Sequence, residues 1–284
     1  KTSISLTTTI SLDSSLKRLE QQVSDVVGAR DSYVSLLTTP ELAPLFTHSP
    51  YLTHPFVTLS SLQTSIRDPE TLNTTLHAIH ASVDPLPRGY QERLRNASVY
   101  ISGAHPDLAT LCEEEQAVAC FDPGTNTIYF VEASDYRLDT PHELAHAHFS
   151  SLPIPQQNRL EQIFSRFVRA PEVQADITRN KQGDFVWSKG AREEPRYSCP
   201  RAYSARNEQE YIATYVEDVM GNNGKNMVTL LKGDYRENVV TTLEHLREQG
   251  FFGDTNEAGA YLNPIYRQAG LGNAALEKLK RDTR

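Results

Sequence analysis

The sequence predicts an α+β protein dominated by helix, with a small sheet ahead of a histidine-bearing helix, and a helical N-terminal region. Three observations carry this expectation. Apolar residues recur at three- and four-residue spacing over much of the chain, as from Asp13 to Leu37, which marks amphipathic helices. Two short runs, ASVYIS at 97–102 and TIYFVE at 127–132, are instead rich in β-branched and aromatic residues. The strands also precede a series of helical segments without alternating with them, which favours α+β over a doubly wound parallel sheet.

In chain order, residues 1–15 are a Ser/Thr-rich lead-in, followed by a helix over 13–37 and helical pieces near 40–47, 57–66 and 68–82. Pro85, Pro87 and Gly89 then interrupt the chain. The division expected is a helical N-terminal region over 1–95, scaffold- or pro-segment-like, and a second domain over 96–284. The second begins with the two strands, separated by the turn at Asp122-Pro123-Gly124. The helix containing TPHELAHAHFSSL (Thr140–Leu152) comes next, and after Pro153 and Pro155 a helix over 156–169. A Gly/Pro-punctuated stretch leads to Ala202, and helices follow near 207–221, 225–232, 235–249 and 273–282.

Bulk properties exclude several classes of function. An apolar fraction of 38% and a charged fraction of 23% in 284 residues suit a globular chain with a substantial core. Twenty-eight basic against 36 acidic residues give a formal charge of −8, with no basic block beyond the tail LEKLKRDTR. Nucleic acid is therefore not expected as a partner, because phosphate binding needs a concentrated Lys/Arg surface. No apolar run approaches the roughly 18–20 residues that span a bilayer. The start at Lys1, with sequons at Asn73 and Asn96, leads to the expectation of a removed leader and a secreted or otherwise extracytoplasmic chain. Cys112 and Cys120 are spaced to close a small loop and Cys199 stands apart, but spacing does not decide the pairing. Oligomeric state is left open.

The chemistry is concentrated in His142-Glu143-Leu144-Ala145-His146. On a helix, residues four apart share a face, so both imidazoles can address one cation. Glu143, next to the first histidine, is suited to take the proton of a metal-bound water. His148 is rotated about 200° from His146 and cannot join them. The competing reading is structural: Thr140 as N-cap, Pro141 at the first helical position and Glu143 closing a capping box.

A catalytic zinc needs a third protein ligand. Two segments compete. In RAYSARNEQEYIATYVEDV, Asn207 caps a helix whose early turns hold Glu210; Glu217, two turns further along the same face, is placed either to orient a histidine or to lie exposed at the surface. The pattern Tyr203-x-x-x-Asn207-x-x-Glu210-Tyr211-x-Ala213 resembles the third-ligand segment of the gluzincin zinc metallopeptidases, in particular the minigluzincins and the anthrax toxin lethal factor catalytic domain. The other segment is PEVQADI, whose Glu172-x-x-Ala175-Asp176 resembles the ligand segment of membrane-associated prenyl-protein peptidases; its gap of 172 − 146 = 26 residues is short beside 210 − 146 = 64.

The gluzincin resemblance covers roughly 120–220 and implies a zincin-like catalytic domain over 96–284. It implies one Zn2+ per chain held by His142, His146 and Glu210, with Glu143 as general base and Tyr203 as oxyanion donor. It also implies that TIYFVE is an edge strand beside the active-site helix, with a peptide or protein substrate laid along it as an added strand. Thr214 departs from the family, which often has a second acidic residue there, and Pro141 directly before His142 is a second departure, implying a helix that starts later than is usual. Two other functions fit the same residues: a latent or inactive zincin, or an extracytoplasmic binding or scaffold module whose histidines belong to an ordinary helix. Glu113-Glu114-Glu115 is expected to be a solvated run and Trp187 a core or loop anchor.

Overall fold

The computed structural model describes residues 62–66, 68–103, 112, 118–181, 183–188 and 197–282. The helices expected at 13–37 and 40–47, and Glu113-Glu114-Glu115, lie outside these. The fold is α+β and helix-dominated, and it divides into two compact units. One takes the residues up to His77 with Arg95–Ala133; the other takes Ala78–Leu94 with Ser134 onwards.

The first unit holds a four-stranded sheet in the order β1-β2-β4-β3. Its strands are β1 (Leu62–Thr64), β2 (Ser98–Ser102), β3 (Ala119–Asp122) and β4 (Thr127–Val131). β1 pairs parallel with β2, setting Leu62 opposite Val99, and β2 pairs parallel with β4, setting Ser98 opposite Thr127. β3 returns antiparallel on β4, with Asp122 opposite Thr127. The turn between them is built by Asp122, whose carboxylate accepts from the Gly124 N–H (2.8 Å) and the Thr125 hydroxyl (2.6 Å). TIYFVE is therefore an inner strand and not the edge strand expected; the edges of this sheet are β1 and β3. The cause is visible in its composition, since Ile128, Phe130 and Val131 are all buried, and a strand covered on both faces reads as a continuous apolar run. The helix expected over 57–66 is corrected as well: Leu62–Thr64 extends along β2, and Thr64 Oγ1 donates to the Ile101 carbonyl (2.8 Å). Cys112 and Cys120 form a disulfide, which ties β3 to the chain that precedes it.

Helix α1 (Pro69–Val83) runs from the first unit into the second, burying Leu72, Leu76, Ile79 and Val83 at helical spacing. Helix α2 (Arg88–Asn96) was not expected, because Pro87 read as an interruption. Pro87 instead starts the helix, accepting the Tyr90 N–H, and Tyr90 and Leu94 are buried one turn apart.

Two helices of the second unit carry the candidate site. Helix α3 (Tyr136–Ser151) begins after Asp135, whose carbonyl accepts the Leu138 and Asp139 N–H groups. The capping box at Thr140 is accordingly absent. Thr140 lies a turn inside the helix, fully buried, with its hydroxyl bonded to Ser82 Oγ (2.8 Å). Pro141 sits in the helix interior and leaves the Arg137 carbonyl without its usual N–H partner. After α4 (Ile154–Arg169) come a single turn α5 (Pro171–Gln174), a hairpin of β5 (Ile177–Arg179) and β6 (Phe185–Trp187), and a 3-10 turn (Ala202–Ala205). Trp187, on β6, stacks on Tyr197 with ring centroids 5.8 Å apart.

Helix α6 (Glu208–Gly221) is buried on nearly every side, as a central helix must be, with Tyr211, Ile212, Ala213, Tyr215, Val216 and Val219 inside. Asn207 caps it, accepting the Glu210 N–H (2.9 Å). It ends at Gly221, where an added Cβ would lie 2.4 Å from the Arg137 carbonyl oxygen and 3.2 Å from Leu138 Cα. Glycine is what lets the end of α6 cross the first turns of α3. Beyond it, α7 (Lys225–Leu231), α8 (Arg236–Glu248), α9 (Thr255–Gln268) and α10 (Asn273–Asp282) complete the chain. The sequence reading missed α9 although its start carries a capping box, Asp254 and Glu257 each accepting the other's backbone N–H.

Candidate metal centre

His142 and His146 stand one turn apart on α3, and α6 brings Glu210 to them. His142 Nε2 lies 3.1 Å from Glu210 Oε2 and 3.1 Å from His146 Nε2, and His146 Nε2 lies 3.6 Å from Glu210 Oε2. All three side chains are largely withdrawn from water, at 12–14% exposure. These separations match a small divalent cation. A tetrahedron with arms of about 2.05 Å, the usual Zn–N and Zn–O length, has edges of about 3.3 Å. The hydrogen bonding calls for positive charge as well. On the other face of His142, Nδ1 donates to Glu217 Oε2 (3.0 Å), which leaves Nε2 as the nitrogen that faces the Glu210 carboxylate. Lone pairs facing one another at 3.1 Å repel unless a proton or a metal ion lies between them. His142, His146 and Glu210 thus form a group that can hold a metal ion.

The electrostatics agree. Burial works against the charged form of His142, but its hydrogen bonds to Glu210 and Glu217 outweigh that and raise its proton affinity well above the ordinary value. Burial likewise works against an ionised Glu210, and the positive charge of His146 and His142 still holds its carboxyl below the usual carboxylate range. The centre stabilises its buried carboxylate with whatever positive charge is present.

Glu143 is 5% exposed, and burial pushes its carboxyl upwards against the opposing pull of His142 and His146. Asp139, one turn earlier on α3, is pushed up to about 7 by burial and then by Glu143 and Glu217. Tyr203, on the 3-10 turn, is 40% exposed, with its ring centroid 6.3 Å from that of His142. Its hydroxyl accepts from Arg206 Nη1 (2.8 Å), and Arg206 Nε donates to Asp184 (2.8 Å). A cleft of about 740 Å³, lined among others by Phe164, Ile177, Phe185, Arg206 and Asn207, opens at the start of α6 within a turn of Glu210.

Glu172 is elsewhere, exposed on α5 and outside the group. Its helix ends after one turn, and Asp176, which follows it, accepts the Tyr197 hydroxyl (2.6 Å). His148 faces away as its angle on the helix demands, donating from Nε2 to the Gln249 carbonyl (2.8 Å) and packing edge-on against Phe251. Thr214 bonds Ser204 Oγ (2.8 Å) and the Glu210 carbonyl, so it fastens the 3-10 turn to α6. The carboxylate that meets His142 from behind is that of Glu217, 3.0 Å from its Nδ1, and the signal for it in the sequence was its place on the Glu210 face. Sequence reasoning missed Asp139 and Arg201. The first carries a signal, its position four before Glu143; the second carries none. No protein-family model, curated protein or solved structure matches the chain.

Proposed function

We propose that the chain is a zinc-dependent endopeptidase of gluzincin type, acting on peptide or protein substrates outside the cytoplasm. The observation that carries the reading is the convergence of His142, His146 and Glu210 with the buried Glu143 between the two histidines on the same helix. Two imidazoles and one carboxylate are the ligand set of a hydrolytic zinc. A zinc ion bound there supplies Lewis acidity to a substrate carbonyl and lowers the pKa of water to about 7.

The chain's own groups then have distinct tasks. Glu143 takes the proton of the attacking water and returns it to the leaving amine; burial, which raises its carboxyl, suits a base that must hold that proton between the two events. Tyr203 donates to the carbonyl oxygen as negative charge develops on it. Accepting from Arg206 polarises the phenol and strengthens it as a donor. Glu217 fixes the tautomer of His142 and aims its Nε2. The Cys112–Cys120 disulfide suits an oxidising compartment.

The test is zinc per chain by mass spectrometry, on wild type beside Glu210→Ala and Glu172→Ala, with hydrolysis of a peptide library by wild type and Glu143→Ala. The expected outcome is one zinc in wild type and in Glu172→Ala, little in Glu210→Ala, and a Glu143→Ala protein that keeps zinc without turnover. Full activity of Glu143→Ala refutes its role. No zinc in any sample makes the histidines ordinary helix residues of a binding module.

A further inference from the structure

Arg201 lies outside every motif the sequence displays, yet its guanidinium meets the centre from behind. Its Nη2 is 2.7 Å from Glu217 Oε1, while the other oxygen of that carboxylate accepts from His142 Nδ1. The Glu217 side chain is 5% exposed and that of Arg201 45%, so an inner carboxylate is held by a cation reaching in from the surface. A carboxylate held by one partner can turn about its last bond; held at both oxygens, it cannot.

The backbone of Arg201 is fastened to the same helix. Its N–H donates to Ser204 Oγ (3.1 Å), which also accepts from Thr214 (2.8 Å), and Thr214 lies on α6 between Glu210 and Glu217. The arginine is thus pinned to α6 between the two carboxylates that address His142.

We propose that Arg201 is a positioning residue of the metal centre: its guanidinium holds Glu217 against His142 Nδ1, so that His142 Nε2 faces the ion. The proposal rests on the reading of His142, His146 and Glu210 as metal ligands. Partners of this kind, one step behind the ligand, set metal affinity over about ten- to a hundredfold. Arg201 stands one step further out, and its removal is expected to weaken binding by about three- to tenfold.

The experiment is a zinc competition titration with a chromophoric chelator, on wild type, Arg201→Gln, Arg201→Lys, Glu217→Gln and the Arg201→Gln/Glu217→Gln double variant. Arg201 is half in solvent, so its replacement leaves no buried cavity, and circular dichroism checks the fold of each protein. Arg201→Gln should bind zinc about three- to tenfold more weakly, Arg201→Lys should recover most of the loss, and the double variant should be no weaker than Glu217→Gln alone. Arg201→Gln binding as tightly as wild type overturns the proposal while leaving the metal centre standing. So does a double variant whose loss is the product of the two single losses, because Arg201 would then act independently of Glu217. A wild-type protein that binds no zinc removes the metal reading itself, and the proposal with it.

Discussion

Replacing Gly221 by alanine tests the construction of the centre without touching a ligand. The added Cβ would lie 2.4 Å from the Arg137 carbonyl oxygen and 3.1–3.2 Å from two carbons of Leu138. Carbon and carbonyl oxygen approach comfortably to about 3.3 Å, so α3 and α6 must separate by about 0.9 Å at this point. Overpacking of this kind costs about 1–3 kcal/mol, and the upper end applies because the struck atom is backbone and cannot rotate away. Alanine regains about 0.5–1 kcal/mol of helix propensity, leaving a net loss of about 2 kcal/mol. That corresponds to a fall of about 4–8 °C in Tm for the metal-free protein. The separation also reaches the site, because Glu217 lies one turn before Gly221 and ligand distances tolerate only about 0.2 Å. Zinc affinity should fall by at least about tenfold. Thermal unfolding and chelator competition measure the two effects. Gly89→Ala is the control: its Cβ meets nothing within 4 Å on helix α2, so the same substitution should stabilise by about 0.5–1 kcal/mol. A Gly221→Ala protein that melts with wild type and binds zinc equally would refute the close crossing as the basis of the site.

Three further outcomes are expected. Tyr203→Phe should lower turnover by about ten- to a thousandfold with zinc content unchanged, and an unchanged rate would reduce Tyr203 to a packing residue. Zinc at a hundred times its Kd should stabilise the folded chain by about 2.7 kcal/mol, and Glu210→Ala should lose that shift in Tm; equal shifts in both proteins would place the ion elsewhere. His148 is held at about 4, below its ordinary 6.5, chiefly by burial. Above pH 6.5 both states are neutral; below it the unfolded chain binds the proton first, so stability falls as pH drops from 6.5 towards 4. Metal-free wild type should therefore lose about 2 kcal/mol more than His148→Phe between pH 7 and pH 5, and parallel losses in denaturant titrations would sink that assignment.

What was legible in the sequence is what is local or periodic. The four-residue spacing of His142 and His146, the exclusion of His148 and the cap at Asn207 follow from helix geometry alone, and β2 and β4 from composition. Glu217 was visible as a member of the Glu210 face, but its contact with His142 depends on the distance between two helices, which no spacing encodes. The inner position of β4 depends on β3, four residues (Ala119–Asp122) too short and too mixed to announce a strand. Thr140 misled because Thr-Pro-x-Glu is a sound local start signal; Asp135 offers one too, and the buried bond from Thr140 to Ser82, 58 positions away, goes with the earlier start. Arg201 was beyond reach for a different reason. It acts through a 3-10 turn without periodicity, on an atom brought to it by tertiary packing.

Two residues that look like defects turn out to belong together. Pro141 inside a helix deprives the Arg137 carbonyl of its N–H, and Gly221 at the end of another helix gives up propensity and packing area. The carbonyl freed by the proline is the atom that a side chain at 221 would strike. At this point α6 therefore lies against the backbone of the first turns of α3, beside the Leu138 side chain. That approach sets the distance from which Glu210 and Glu217 reach the two nitrogens of His142, 3.1 and 3.0 Å away. A longer separation would leave the histidines one turn apart on their helix as before, with the same face and the same motif, and no third ligand. The pentapeptide supplies His142 and His146; the close crossing of the two helices brings Glu210 to them and makes a group that can hold a metal ion.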